Sequence, residues 1–252
     1  MDLGISDPAS PYGRHFNDAM APLPDHVREA LLTGPVAHEL LPPVERAPEL
    51  QRDGHLAVET GFTRAPDGSA RIAVLTKMPG VTPAMWDWWF AWHGSEAERY
   101  KLWHPRAHVH AAWADGQGSL GRYVGRVSDV VEYVGADKLR LSIRFVPPSA
   151  LGFDEALLAR RGEVAICARG SLTGARLETG WLVHHVRPID AGAEMRSRFW
   201  IGGGNIRPRW IGALASRLAP LAASDLLVHC AQEMNHLAGF LPALHAEFEG
   251  TR

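Results

Sequence analysis

What most constrains this 252-residue chain is the order of its periodicities: strand-like alternation through its middle, then one long helical segment at its end. GRYVGRVSDVVEYVG (121–135) and KLRLSIRFVPP (138–148) alternate on either side of Gly135-Ala136-Asp137, as an antiparallel hairpin does. ARGSLTGARLETGWLVHHVRPIDAGAEMRSRFWIGGG (168–204) reads as further strands, with Pro188 to Gly192 as a hairpin turn. LAASDLLVHCAQEMNHLAGFLPALHAEFEG (221–250) predicts a long helix. Ser224 is suited to cap it, Asp225 complements its dipole and Pro242 kinks or ends it. Upstream, 55–80 predicts two strands around Pro66-Asp67-Gly68, and MWDWWFAWHGSEAERYKLW (85–103) predicts a helix with an aromatic stripe. Pro105 favours a new turn after that helix. A sheet with one apolar face and a helix with one apolar stripe must bury them against each other. The expected architecture is therefore α+β: a curved antiparallel sheet gripping one long C-terminal helix. Such a helix-grip arrangement encloses a cavity suited to an apolar, ring-shaped ligand.

The first 54 residues form a separate expectation. They hold Pro8, Pro11, Pro22, Pro24, Pro35, Pro42, Pro43 and Pro48, with a short helix in DHVREALLTG (25–34) ending at Gly34. The rest reads as an arm that wraps a neighbour or a second subunit, leaving 55–252 as the catalytic domain. With 46% apolar and 21% charged residues the chain is of ordinary globular composition, and a net charge of −2 without a basic run offers no footprint for nucleic acid or an anionic membrane. No signal-peptide pattern is visible at the N-terminus, and no window approaches 18 uninterrupted apolar residues. Cys167 and Cys230 lie far apart in apolar surroundings, which favours a reducing cytoplasm over a disulfide framework.

Thirteen histidines and nine tryptophans supply the raw material for chemistry. His229 and Glu233 are four apart on the last helix, so an imidazole nitrogen and a carboxylate oxygen fall on one face. A bare His-x-x-x-Glu is ordinarily a surface pair, but Leu226, Leu227, Val228, Leu237 and Phe240 surround this one, and a buried charge needs a partner or a metal. His236 lies close to the same face. His104, His108 and His110 form a second cluster in HPRAHVH, where capping and loop hydrogen bonds are the alternative. In VSDVVEYVG, alternation puts Val130, Glu132 and Val134 on one side, either facing a cavity or on an edge. Two histidines and two carboxylates satisfy Zn²⁺ in number and type, but the spacings are too long for the sequence to assemble them.

The runs WWFAWHGSEAERYKLWHPRAH (88–108), HHVRP with EMRSRFWIG (194–202), and HCAQEMNHLAGFLP (229–242) resemble the diacetylphloroglucinol and phloretin hydrolases over roughly residues 75–245. The resemblance implies a START-like helix-grip domain, a homodimer, and a zinc ion held by His108, Glu132, His229 and Glu233. It also implies that Tyr100 stands against the substrate's oxygens and that His184, with His185 as the alternative register, is a pocket histidine. Ala111 stands where the family uses an asparagine amide on the substrate, and Phe199 where a tyrosine hydroxyl is expected. Trp88, Trp89 and Trp92 are candidates to wall the ring pocket or to serve as core, with Trp92 assigned to the substrate.

The activity so implied is hydrolysis of the carbon–carbon bond between an acyl group and a phenolic ring, with zinc activating water and His184 or Tyr100 supplying a proton to the ring carbon. Two other classes stay open: a helix-grip carrier of an aromatic or polyketide ligand without catalysis, and a metal-free enzyme like a polyketide cyclase. Metal content separates the first from these two.

Overall fold

A computed structural model describes residues 10–118, 120–174, 177–208 and 222–250. Eight strands form one sheet: β1 Gly61–Arg64, β2 Ala70–Pro79, β3 His108–Trp113, β4 Val127–Val134, β5 Asp137–Val146, β6 Val164–Leu172, β7 Glu178–Ile189 and β8 Gly192–Ile201. Their order is β1-β2-β8-β7-β6-β5-β4-β3, and every neighbouring pair is antiparallel. Among the described residues the helices are α1 Asp25–Thr33, α2 Pro83–Trp92, α3 Ala97–Trp103, α4 Glu155–Arg161, α5 Ala223–Ala238 and α6 Leu241–Phe248.

Two-residue alternation sorts the sheet's side chains onto two faces. Ile72, Val74, Phe145, Ile166, Ala168, Val186, Met195 and Phe199 lie on one face and pack with Leu227, Cys230, Met234 and Leu237 of α5. The helix runs along β2 and also meets β1, β4 and α3. Val146, Ala165, Cys167, Val183 and Trp200 lie on the other face, under Ala47, Leu50, Leu151, Phe153 and Leu158. This is the expected helix-grip arrangement, α+β with a long C-terminal helix against one face of the sheet.

Part of the proline-rich segment packs on its own chain. Its 3-10 stretch Val44–Gln51 covers the outer face of the sheet of its own chain. Trp200 Nε1 donates to Pro42 O at 2.9 Å, and Arg196 Nη1 to Leu50 O at 2.7 Å. Without this cover the apolar outer residues of β6 to β8 would face water.

Local signals explain most element ends. α1 stops at Gly34, whose φ of 83° suits glycine, and Gly68 (φ 82°) turns β1 into β2 with Asp67 accepting from Ser69 N at 3.0 Å. Three expectations are corrected. The aromatic segment is not one helix: a 3-10 turn at His93–Ser95 separates α2 from α3. Gly94 is packed so tightly there that an added Cβ would lie 2.7 Å from the Trp113 ring. Ser224 lies inside α5, whose cap position is Ala222 with no side-chain bond. Pro242 neither kinks nor ends α5; it occupies the first turn of α6, where its missing N–H costs nothing. The alternation also missed α4, which Asp154 caps by accepting from Leu157 N at 2.9 Å.

Candidate functional site

The bulge between His108 and His110 sets His108 directly opposite Glu132 across the β3–β4 pair. α5 then lays His229 and Glu233 over that pair. His108 Nε2 lies 3.4 Å from His229 Nε2, 3.4 Å from Glu233 Oε2 and 3.8 Å from Glu132 Oε2. His229 Nε2 lies 3.7 Å from Glu233 Oε2 and 4.0 Å from Glu132 Oε2. A tetrahedral ion with ligand bonds of about 2.0–2.2 Å sets its donors roughly 3.4 Å apart. His108, His229 and Glu233 form the tightest such group, all three buried. Glu132 stands slightly outside it.

The surroundings prepare these donors for a cation. His108 Nδ1–H donates to Tyr100 O at 3.0 Å, and the His229 ring bonds the backbone of Tyr133, so both imidazoles turn an Nε2 lone pair inward. Burial and the neighbouring Glu132 push the Glu233 carboxyl well above its ordinary range; burial also raises Glu132, against the lowering bond from the Tyr100 hydroxyl. Burial holds His229 down to about 4 and His108 well below its usual value. Among the described residues the two carboxylates have no lysine or arginine ion-pair partner, only histidines. One buried and one half-buried carboxylate beside two neutral imidazoles, without a countercharge, fit a divalent cation.

This cluster opens into a cavity. An inner chamber of about 90 Å³ is lined by Phe90, His93, Tyr100, Ser128, His184, His229 and Glu233 among others. An outer chamber of about 310 Å³ shares Glu132, Ile143, Leu182, Phe199 and Leu226 with it and is walled by Val134, Leu139, Leu141 and Ile201. The larger cleft of about 550 Å³ between Trp181, Trp200 and Pro43 lies on the other face of the sheet, away from these donors.

The sequence candidates fall as follows. His184 lines the inner chamber, with Nδ1 2.8 Å from Ser197 Oγ, while His185 points to the outer face and bonds Glu163 at 2.9 Å. Phe199 lines both chambers. Tyr100 lines the inner chamber, but its hydroxyl donates to Glu132 Oε2 and its ring stacks on His108 at 3.7 Å. Tyr100 thus fixes two members of the donor cluster. Trp92 is corrected: it packs among Tyr12, Trp88 and Phe248 and lines neither chamber, because the phase of α2 turns Phe90 there instead. Ala111 pairs with Val130 on the cavity side but is buried in the core and also lines neither chamber. Asp129, three residues before Glu132, points the other way and accepts from Ser142 Oγ. Sequence reasoning missed His93 and Ser197; the break at Gly94-Ser95 inside an aromatic run was the available signal for His93.

His104 is buried and stacks on His229 at 5.0 Å, yet contributes no atom to the donor group. His104→Ala is therefore expected to keep one metal per chain, with affinity lowered by no more than about 10–100-fold, the range for a residue that steadies a ligand. Metal titration of the variant checks this; loss of the ion would make His104 a ligand.

Burial holds His184 down to about 3 and His93 down to about 4. Their folded values lie below the unfolded value of about 6.5, so the stability they contribute is complete above that value and is lost as pH falls toward 4. Each contributes a slope of up to about 1.4 kcal/mol per pH unit in that window. Urea unfolding of chelated protein between pH 7 and 5 is expected to show this slope, and His184→Gln to remove about one proton's share. An unchanged slope in the variant would show that the ring is not held neutral.

The DAPG hydrolase PhiG domain model matches residues 40–246. A 2,4-diacetylphloroglucinol hydrolase from Pseudomonas sp is 32% identical over 261 residues, covering 94% of this chain and 88% of the relative. Phloretin hydrolase from Eubacterium ramulus is 32% identical over 257 residues, covering 95% of this chain and 91% of its own. No helix among the described residues is long and apolar enough to cross a membrane. With the match spanning most of the chain, donor cluster and cavity walls included, the chain belongs to the DAPG hydrolase PhiG domain family of enzymes.

Proposed function

We propose that this enzyme is a zinc-dependent hydrolase that cleaves the carbon–carbon bond between an acyl group and a phenolic ring, giving a carboxylate and the deacylated phenol. The observation that carries this reading is the buried His108, His229 and Glu233 group, with half-buried Glu132 at its margin, at the floor of an apolar cavity that also presents His184. Relatives named for diacetylphloroglucinol and phloretin support the acylphenol as substrate class. The two cysteines are buried and free, which agrees with a cytoplasmic enzyme, and a homodimer belongs to the same reading.

When bound, zinc would supply Lewis acidity, polarising a carbonyl and easing the ionisation of water. The chain's own residues do the rest. Leu139, Leu141, Ile143, Leu182 and Phe199 exclude water and hold the apolar part of the substrate. A ring carbon is a poor leaving group unless the phenol first becomes its keto tautomer. His184 is neutral near pH 7, so it works as a base first. In the tautomer whose Nδ1–H donates to Ser197 Oγ, its Nε2 takes the proton of a ring hydroxyl and returns it to the acyl-bearing ring carbon. After water's oxygen adds to the acyl carbon and the bond breaks, the electron pair passes into the ring ketone, which leaves as a phenolate.

The test is metal analysis together with an assay on acylated phloroglucinols. One zinc per chain, carboxylate release, and loss of both on chelation with recovery on zinc addition are expected. Tight binding of the acylphenols without cleavage or metal would establish a carrier instead.

A further inference from the structure

The inner chamber holds a second histidine that the scheme above leaves unused. His93 is 3% exposed and sits in the 3-10 turn between α2 and α3. Its Nδ1 lies 2.8 Å from the carbonyl oxygen of Trp89. A carbonyl can only accept, so Nδ1 carries the hydrogen, and in the neutral ring Nε2 is left with a bare lone pair. Nε2 has no hydrogen-bond partner among the described residues, and the ring lines the chamber beside Tyr100, His184 and Glu233.

The ring is also clamped. Trp89 stacks on it at 5.1 Å, Tyr100 at 5.9 Å, and the edges of Phe90 and Trp103 meet it at 5.5 and 5.3 Å. Gly94, which can take no Cβ against Trp113, fixes the turn that carries it. His184 contacts the same Phe90 ring at 5.7 Å, so the two histidines are set around one aromatic side chain at different points of the chamber wall. Ser197 can donate or accept, which leaves the His184 tautomer to its surroundings; that of His93 is dictated by its partner.

We propose that His93 is a further substrate-contacting residue, whose Nε2 accepts a hydrogen bond from a ring hydroxyl of the phenol that His184 does not reach. This rests on the acylphenol reading. The chamber would then require a hydroxyl at that position: a methyl ether has no hydrogen to give, and its oxygen lone pairs would face the Nε2 lone pair. A buried acceptor left unpaired is the physical basis of strong rejection of a substrate analogue.

The test uses full-length zinc-loaded protein with 2,4,6-trihydroxyacetophenone and its 2,4,6-trimethoxy counterpart. Wild type is expected to bind the hydroxylated ring at least about 10²-fold more tightly in calorimetry, and His93→Phe to lose most of that preference. His93→Asn is a smaller replacement in case the phenylalanine variant does not fold. Nitrogen-15 NMR of wild-type protein provides a readout that needs no variant. Nε2 of His93 is expected to show the unprotonated signature in the free protein and to shift when the hydroxylated ring is added. A protonated Nε2 in the free protein, or a variant that keeps the full preference while wild type binds and cleaves the hydroxylated ring, overturns the role of His93 and leaves the proposed activity standing. Wild-type protein that binds neither ring overturns the acylphenol reading and this proposal together.

Discussion

His229→Ala is expected to lose bound zinc and activity together. Zinc in a four-ligand protein site binds with roughly 10–16 kcal/mol, so one ligand is worth about a quarter of that, or about 10²–10³-fold in affinity. The structure makes the loss hard to repair. His229 Nε2 lies within 3.4–4.0 Å of the other three donor atoms, and its ring is held by a backbone bond from its other side. Among the described residues, the tightest donor group is His108, His229 and Glu233, so removing one leaves two donors and an offset glutamate. Metal analysis and thermal unfolding with and without added zinc check this. Wild type should be stabilised by the ion and the variant should not. A variant with full occupancy would remove His229 from the site. Glu132→Gln is a graded version of the same experiment: a neutral amide replaces a charged oxygen and also disturbs the bond from Tyr100. Because Glu132 stands at the margin of the group, its effect on affinity is expected to be the smaller of the two.

His184→Ala is expected to keep zinc and to lower kcat by roughly 10²–10⁴, the scale of a lost proton-transfer group. It is buried in the chamber wall and makes no contact with the donor cluster in its hydrogen bonds, which run to Ser197. Metal content therefore separates the two roles. His185→Ala is the control, because that ring lies on the opposite face of β7 against Glu163 and Phe153. It is expected to cost stability while leaving kcat of the folded enzyme close to wild type. The reverse result, with His184→Ala normal and His185→Ala inactive, would place the proton transfer on the wrong face of the sheet. Tyr100→Phe should fall between these and show up in metal affinity, since its hydroxyl holds Glu132.

Much of this was legible in the sequence because it is periodic. Two-residue alternation put Glu132 with Val130 and Val134 on one side of its strand, and the structure has Glu132 and Val130 in the chamber wall. Four-residue spacing on α5 set His229 beside Glu233. These relations are fixed by backbone geometry within one element, so they survive whatever the rest of the chain does.

Tertiary structure decided everything that joins one element to another. The first histidine and the strand glutamate are 24 positions apart in sequence, yet the bulge in β3 makes His108 and Glu132 cross-strand partners. No pattern in HPRAHVH distinguishes His108 from His104 or His110; the choice is made by which ring the turn and bulge direct at α5. Gly94-Ser95 hinted at a break in the aromatic helix, but what fixes the turn there is the Trp113 ring lying against Gly94 from the far end of β3. The helix's phase then turned Phe90, not Trp92, to the cavity. The proline-rich segment found its partner on the outer face of its own sheet, since that face has Cys167, Val183 and Trp200 to bury. Periodicity gave each element its apolar side, but only packing gives that side a neighbour, and a site assembled from β3, β4, β7, α3 and α5 exists only once those neighbours meet.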